Sequence, residues 1–354
     1  MDDMSIFART FCIKRINDQV LEENPWFKDM LLYWRPAGDA LRREMPQATE
    51  LLTKGPPHEE DPERLRLAIR DGYINFYRGG QSIAKIDFDS KGNLQAKIHN
   101  KFVNGKQGSG QTYVTLNATG LRDEKTGSLG KYKGLADLRR WVSNANEYIG
   151  DEKQFVDQIV ARNPNVVDLE MALPAYDPKE KTAPRMDLVA LEPVGDRWRI
   201  VFWEVKLAGD SRARCKGDRV WPTYVGDEHT APKVLRQLWN YTRWLRHDGH
   251  RELVETAYQK ACQLLVEFHE LAKIVNPQIE ELGPGIVAAA LLGAPRLRLD
   301  DNPRLLIGDL PGEDGIRNSS FVQNGHLKKL CDEPSGIHVQ MVSGFGDMAL
   351  ETRA

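Results

Sequence analysis

The chain has no long hydrophobic run. Its longest apolar stretch, near Ile286 to Leu292, is too short to span a bilayer, so no membrane partner is expected. It has no excess of one charge. Lys and Arg number 49 against 51 Asp and Glu, a formal net charge of −2, so any polyanion binding must come from local patches. It has few cysteines. Cys12, Cys215, Cys262 and Cys331 are scattered, which argues against a disulfide frame and for a reducing, cytoplasmic compartment. The start, Met1-Asp2-Asp3-Met4, is acidic and unlike a signal peptide. The histidines show no metal spacing; His247-Asp-Gly-His250 reads as a helix end. There is no glycine-rich phosphate loop and no helicase motif, so no intrinsic ATPase motor is expected.

What is present suffices for ordinary cores: 354 residues at 41% hydrophobic content, with two domains as the expectation. Residues 1 to about 71 read as largely helical. A break falls near Asn24-Pro25, a second helix is expected over Asp39 to Lys54, and a loop over Gly55 to Pro62. From Gly72 the period changes to two. Strands over Tyr73–Tyr77, Gln81–Phe88 and about Leu94–Ile98, with turns at Gly79-Gly80 and Asp89 to Asn93, make a β-meander over about 72–116, which Tyr113 to Leu116 extends. The exposed face of this smaller α+β domain (1–117) is read as carrying Arg78, Lys85, Lys97 and Lys101. These cations can contact phosphates, form a plain solvated face, or serve a partner or a homo-oligomer. The glycine-rich stretch 118–134 reads as a linker, followed by a helix from about Leu135 to Tyr148 and a second domain over 135–354.

The second domain is organised around Pro184 to Ala208. Met186 to Pro193 and Trp198 to Ala208 read as adjacent strands joined by a tight turn at Gly195-Asp196. Strand side chains alternate, so Glu204 and Lys206 point to one face, which Asp187 can reach if the strands pair. Burying charge is costly unless it is paired or bound to a metal. Two carboxylates suit a hard cation such as Mg²⁺, which would polarise a phosphoryl oxygen and activate water. Lys206 would orient that water or offset charge developing on the phosphate. Other acid-x-Lys triplets, such as Asp89-Ser-Lys91 and Asp177-Pro-Lys179, sit in polar or turn-like surroundings. Glu204-Val-Lys206 lies inside an apolar run.

Asp187, sixteen residues, then Glu204-Val205-Lys206 resembles the PD-(D/E)XK nuclease superfamily. Met186 stands where the motif's Pro would be, with Pro184 near. The resemblance implies that Asp187, Glu204 and the backbone carbonyl of Val205 hold Mg²⁺ or Mn²⁺, and that Lys206 assists attack. Downstream, Pro232 to Leu245 has helical spacing, and Gln237-Leu-Trp-Asn-Tyr241 resembles the Gln-x-x-x-Tyr motif of RecB-type nucleases. That implies Gln237 beside the active site and Tyr241 helping to hold substrate; a boundary Gln and a core Tyr are the alternative. The scattered cysteines argue against the iron–sulfur cluster of some RecB-type relatives. Gly150 to Pro164 reads as an amphipathic helix with Asp151 and Gln154 as its capping box. It resembles the helix opening the nuclease domain of the NucS mismatch nucleases and implies a further catalytic acid at Glu152. Glu170, in an expected strand over Val166 to Leu173, competes for that role.

The implied fold is α/β, a restriction-endonuclease-like αβββαβ core with a mixed central sheet. Ile286–Leu292, Arg304–Ile307 and Ile337–Val342 are expected strands, Arg251 to Val275 a long helix, and His326–Cys331 a short one. In the long loop Gly209 to Ala231, Arg212, Arg214, Lys216 and Arg219 lie beside Trp221 and Tyr224, a composition that can hold a phosphate backbone or be plain surface. The expected function is Mg²⁺-dependent hydrolysis of DNA phosphodiester bonds, in prokaryotic defence against phage or foreign DNA or in repair. The alternative is a non-cleaving module on a nuclease fold.

Overall fold

The computed structural model describes residues 7–40, 64–105, 112–123, 125–174, 185–214, 232–291, 297–308, 320–331, 337–343 and 348–352. The chain divides into two units. One comprises Ala8–Asn165 and Gln259–Ala294; the other comprises Met1–Phe7, Val166–Tyr258 and Pro295–Ala354. The fold is of the α/β class, with an antiparallel sheet in the first unit and a mixed sheet in the second.

The first unit opens with α1 (Asp18–Glu23) and α2 (Pro25–Tyr33), separated at Asn24-Pro25 because proline suits a helix's first position and cannot extend the preceding one. Its sheet runs in sequence order: β1 (Arg66–Ile69), β2 (Ile74–Arg78), β3 (Gln81–Phe88), β4 (Leu94–His99), β5 (Tyr113–Asn117), β6 (Gly120–Asp123) and β7 (Gly127–Gly130). The meander is therefore longer than the sequence suggests at both ends. Residues 66–69, read as part of a helical region, pair with β2. Residues 118–134 are not a linker: they supply β6 and β7. One glycine there serves close strand approach. Gly120 has φ +125°, and a Cβ on it would collide with the backbone of Gly130. The unit is also the larger of the two, since it takes in α3 (Leu135–Asn146) and α4 (Asp151–Arg162). The α4 N-cap is Gly150 without a side-chain cap, one residue before the expected capping box.

One face of this sheet is apolar. Ile74, Phe76, Ala84, Ile86, Ala96, Ile98, Val114 and Leu116 are buried, and α3 lies against β2 and β3 with Leu138 and Trp141 buried. The short helix Pro284–Ala290 replaces the strand expected over Ile286–Leu292. Pro284 starts it and three alanines continue it, and a short apolar run does not distinguish a strand from a buried helix. The helix expected over Asp39–Lys54 falls almost wholly outside the described residues.

An ionic network lies within this unit. Arg66, nearly inaccessible to solvent, donates to Asp39 at 3.0 Å, to Asp157 at 3.1 Å, and to the carbonyls of Arg35 and Pro36. Arg64 adds contacts to the same two carboxylates. Burial alone would raise the Asp157 carboxyl. The combined fields of Arg66, Arg64 and Arg78 outweigh it and hold the group below its ordinary 3.8. A depressed carboxylate contributes stability above its unfolded value and loses it as pH falls through the folded one. The denaturant midpoint is therefore expected to drop on acidification below pH 3.8, and Asp157→Asn should remove that part of the decline. Identical acid limbs in both proteins would contradict the assignment.

The second unit is built on β8 (Val166–Ala172), β9 (Arg185–Val194) and β10 (Arg197–Leu207), followed by α5 (Lys233–Leu245) and the long α6 (His250–Val275), whose residues from 259 belong to the first unit. Then come β11 (Arg298–Leu299), β12 (Arg304–Gly308) and β13 (Val339–Val342). The sheet order is β13-β12-β10-β9-β8, with β11 also on β10. The β8, β9 and β10 ladders are antiparallel; β10, β12 and β13 run parallel. The β9–β10 hairpin closes on Gly195-Asp196 as its sequence indicates, with Gly195 at φ +58°.

Candidate active site

Strand β10 carries two different faces. Phe202, Glu204 and Lys206 alternate with Trp203, Val205 and Leu207, and all six are buried. Helix α5 lies over the first face. Phe202 meets the Tyr241 ring at 6.3 Å, and Glu204 accepts a hydrogen bond from Gln237 Nε2 at 2.8 Å. Two strand residues advance about 6.6 Å, and one helical turn about 5.4 Å. A pair two apart on the strand thus matches a pair four apart on the helix. Gln237 also donates to the Arg185 carbonyl, tying the helix to β9.

The charged groups converge. The Lys206 ammonium lies 2.6 Å from Glu204 Oε1, 2.6 Å from the Val205 carbonyl oxygen and 3.6 Å from Asp187 Oδ2. Asp187 Oδ2 accepts the Val205 backbone N–H at 2.9 Å, which pins that carboxylate against β10. Lys206 is 1% exposed, Glu204 2% and Asp187 5%. Charge so deeply buried persists only with partners of this quality. The β10 neighbours on β12, Leu305 and Ile307, are fully buried and apolar, so the polar cluster ends there.

Glu170 belongs to the same region. The flanking pairs Leu169↔Leu188 and Met171↔Met186 place it directly across the β8–β9 ladder from Asp187. One step beyond the last β9–β10 pair, Trp203↔Leu188, places Glu204 across from Asp187 on the other side. Three acids thus stand in one cross-strand row. Among the described residues, Glu170 is the non-glycine residue with positive φ, at 51°, a conformation that costs an ordinary side chain roughly 1 kcal/mol or more. The sequence marked this carboxylate; its strain and its register are tertiary facts.

The other expected site residues fall in different places. Tyr241 is fully buried. Its hydroxyl donates to the Met171 carbonyl at 2.9 Å, so it anchors β8 and does not face solvent. Burial, then the charge of Glu204, pushes its phenol well above the ordinary 10.0 and keeps it a donor. Tyr241→Phe is expected to cost about 1 kcal/mol by orphaning that carbonyl, read in a urea titration; an unchanged midpoint would deny the anchoring role. Arg212 is exposed and paired with Asp210. Arg214 donates to the Ala208 carbonyl at 3.0 Å and to Ser320 at 3.1 Å, so it is tied to the end of β10. Lys216 and Arg219 lie outside the described residues, as do Trp221 and Tyr224. Glu152 is half-buried in the first turn of α4, in the other unit.

Among the described residues, no group of three or more His, Cys, Asp or Glu is arranged to hold a metal ion. The cluster offers two carboxylates and one carbonyl, hard oxygen donors that a cation already draws together: the Lys206 ammonium sits where they converge. That donor set is compatible with Mg²⁺, which takes one or two carboxylates and keeps waters. No protein-family model, curated protein or solved structure matches this chain. No described helix is long and apolar enough to cross a membrane.

Proposed function

We propose that the chain is a metal-dependent nuclease of the PD-(D/E)XK type that hydrolyses DNA phosphodiester bonds. The observation that carries the reading is the buried convergence of Asp187, Glu204, the Val205 carbonyl and the Lys206 ammonium on one sheet face. A core built only for stability would gain more from apolar residues of similar volume. The order of three strands, a helix and a further strand running parallel to β10 agrees with the αβββαβ core, its opening helix apart.

Asp187, Glu204 and the Val205 carbonyl are the groups that would hold Mg²⁺ or Mn²⁺. The bound ion would supply Lewis acidity and a water of lowered pKa. The remaining work falls to the chain. Gln237 engages Glu204 Oε2 and leaves Oε1 turned towards the cationic centre. The Val205 N–H fixes Asp187. Lys206 places a positive charge beside the carboxylates, where it can orient a water or offset charge developing on a phosphoryl oxygen, in a site where water screens little. Tyr241 acts at one remove, by holding β8.

The test is cleavage of linear and circular, single- and double-stranded DNA with Mg²⁺, Mn²⁺ or EDTA. The wild-type chain should cut with either metal and not in EDTA. Glu204→Gln, which keeps the shape and removes the charge, should lose on the order of a hundredfold or more. Stable DNA binding with no cutting under any metal would defeat the reading and favour a non-cleaving module. A role in defence against foreign DNA, or in repair, belongs to the same proposal.

A further inference from the structure

The second face of the seven-stranded sheet is buried at β1 and β2 and part-exposed from β3 to β6, where it carries a pattern that a merely solvated face does not need. Lys85 and Lys97 are directly paired across β3 and β4, an arrangement in which like charges repel. The same cross-strand row continues through Thr115 on β5 to Arg122 on β6. Among the described residues, no carboxylate pairs with Lys85, Lys97 or Arg122. The one acid beside them on β3, Asp87, accepts from Gln95 at 2.8 Å. Aromatic rings flank the row. Lys85 lies 4.0 Å from the centre of the Tyr73 ring, and Tyr113, 49% exposed, meets His99 edge-on at 5.2 Å. Of the cations the sequence placed on this face, two are elsewhere. Arg78 is buried and bonded to Asn146, and Lys101 lies on a short helix over Phe102 and Tyr148. Arg122 takes their place, on the strand β6 whose glycine-rich surroundings resemble a linker.

We infer that this face is a docking track for single-stranded nucleic acid, with Lys85, Lys97 and Arg122 holding phosphates and Tyr113 stacking a base. Neighbouring strands lie about 4.8 Å apart, so the three cations span roughly 14 Å in a line, suited to an extended backbone. A sheet face with an exposed ring at Tyr113 offers stacking to an unpaired base and no element to enter a duplex groove. An anion laid along the row relieves the Lys85–Lys97 repulsion that the folded chain otherwise carries. The surface is independent of the cleavage reading, because it needs neither metal nor Lys206.

The experiment is anisotropy of a fluorescein-labelled oligothymidylate with the full chain in EDTA, across a salt series. EDTA separates this binding from any cutting, so either proposal can fail alone. The variant Lys85→Gln/Lys97→Gln/Arg122→Gln should bind about tenfold more weakly or worse, and its salt slope should fall by about 2, at roughly 0.7 per lost phosphate contact. Tyr113→Ala should lose about tenfold while Tyr113→Phe keeps wild-type affinity. Melting of the variants should stay close to wild type, since none of these side chains is buried. Wild-type affinity and slope in the triple variant, or no binding by the wild-type chain, would overturn the proposal. So would displacement by polyglutamate as efficient as by the oligonucleotide, which marks an acidic protein partner, or tighter binding of a duplex.

Discussion

Replacing Lys206 with alanine is expected to reduce metal-dependent cleavage on the order of a thousandfold, the scale of losing a preorganised charge in a water-excluded site. The ammonium is within 2.6 Å of both Glu204 Oε1 and the Val205 carbonyl. Binding of an oligonucleotide in EDTA should persist, since the side chain is 1% exposed and cannot itself make much of a binding surface. The substitution also removes the ammonium paired with the buried Glu204 and Asp187, a loss of a kind that reaches about 3–5 kcal/mol. Melting must therefore be measured beside activity, with Mg²⁺ present. Lys206→Met keeps the aliphatic stem and carries the same test if the alanine variant melts too low. A folded variant of either kind with full activity would remove Lys206 from the chemistry and with it the proposed function.

Arg66→Met is expected to be the most damaging single change to the stability of the first unit. One guanidinium there satisfies two carboxylates, Asp39 and Asp157, and two backbone carbonyls. The Asp39 side chain is wholly inaccessible, and Arg66 is 3% exposed. Removing the cation strands a buried carboxylate, at a cost of roughly 3–5 kcal/mol. The readout is the urea midpoint at neutral pH. Arg64 reaches both acids too, so Arg64→Met should cost less, and the double variant more than either. A midpoint within error of wild type for Arg66→Met would show that Arg64 alone carries the pair.

The two networks differ in how far the sequence announces them. Glu204 and Lys206 are two apart on an apolar strand, and Asp187 lies one tight turn away, so strand alternation and a hairpin suffice to bring them together. Gln237 and Tyr241 share a helix face by their spacing, although which of them would meet the polar cluster was not written there. The fold turned Gln237 to Glu204 and Tyr241 to the Met171 carbonyl. Arg66, by contrast, joins partners 27 and 91 residues away, and no local pattern foretells such pairings.

By itself the sequence determined what local periodicity and turn chemistry control. The meander from β2 to β5, the β9–β10 hairpin, the helix break at Asn24-Pro25 and the amphipathic α5 all follow from side-chain spacing, glycine at positive φ and proline at a helix start. Only the tertiary structure decided where composition is ambiguous. Glycines at 120, 127 and 130 read as linker yet lie in two paired strands: all three take positive φ, and at Gly120 a Cβ would meet the Gly130 backbone, so glycine serves a close ladder as well as a loop. The apolar run from Ile286 became a helix, because a starting proline and three alanines outweighed a length and composition that suit a strand equally well. The alignment of Glu170, Asp187 and Glu204 across three strands depends on ladder register, and register is fixed by long-range pairing that no single segment encodes.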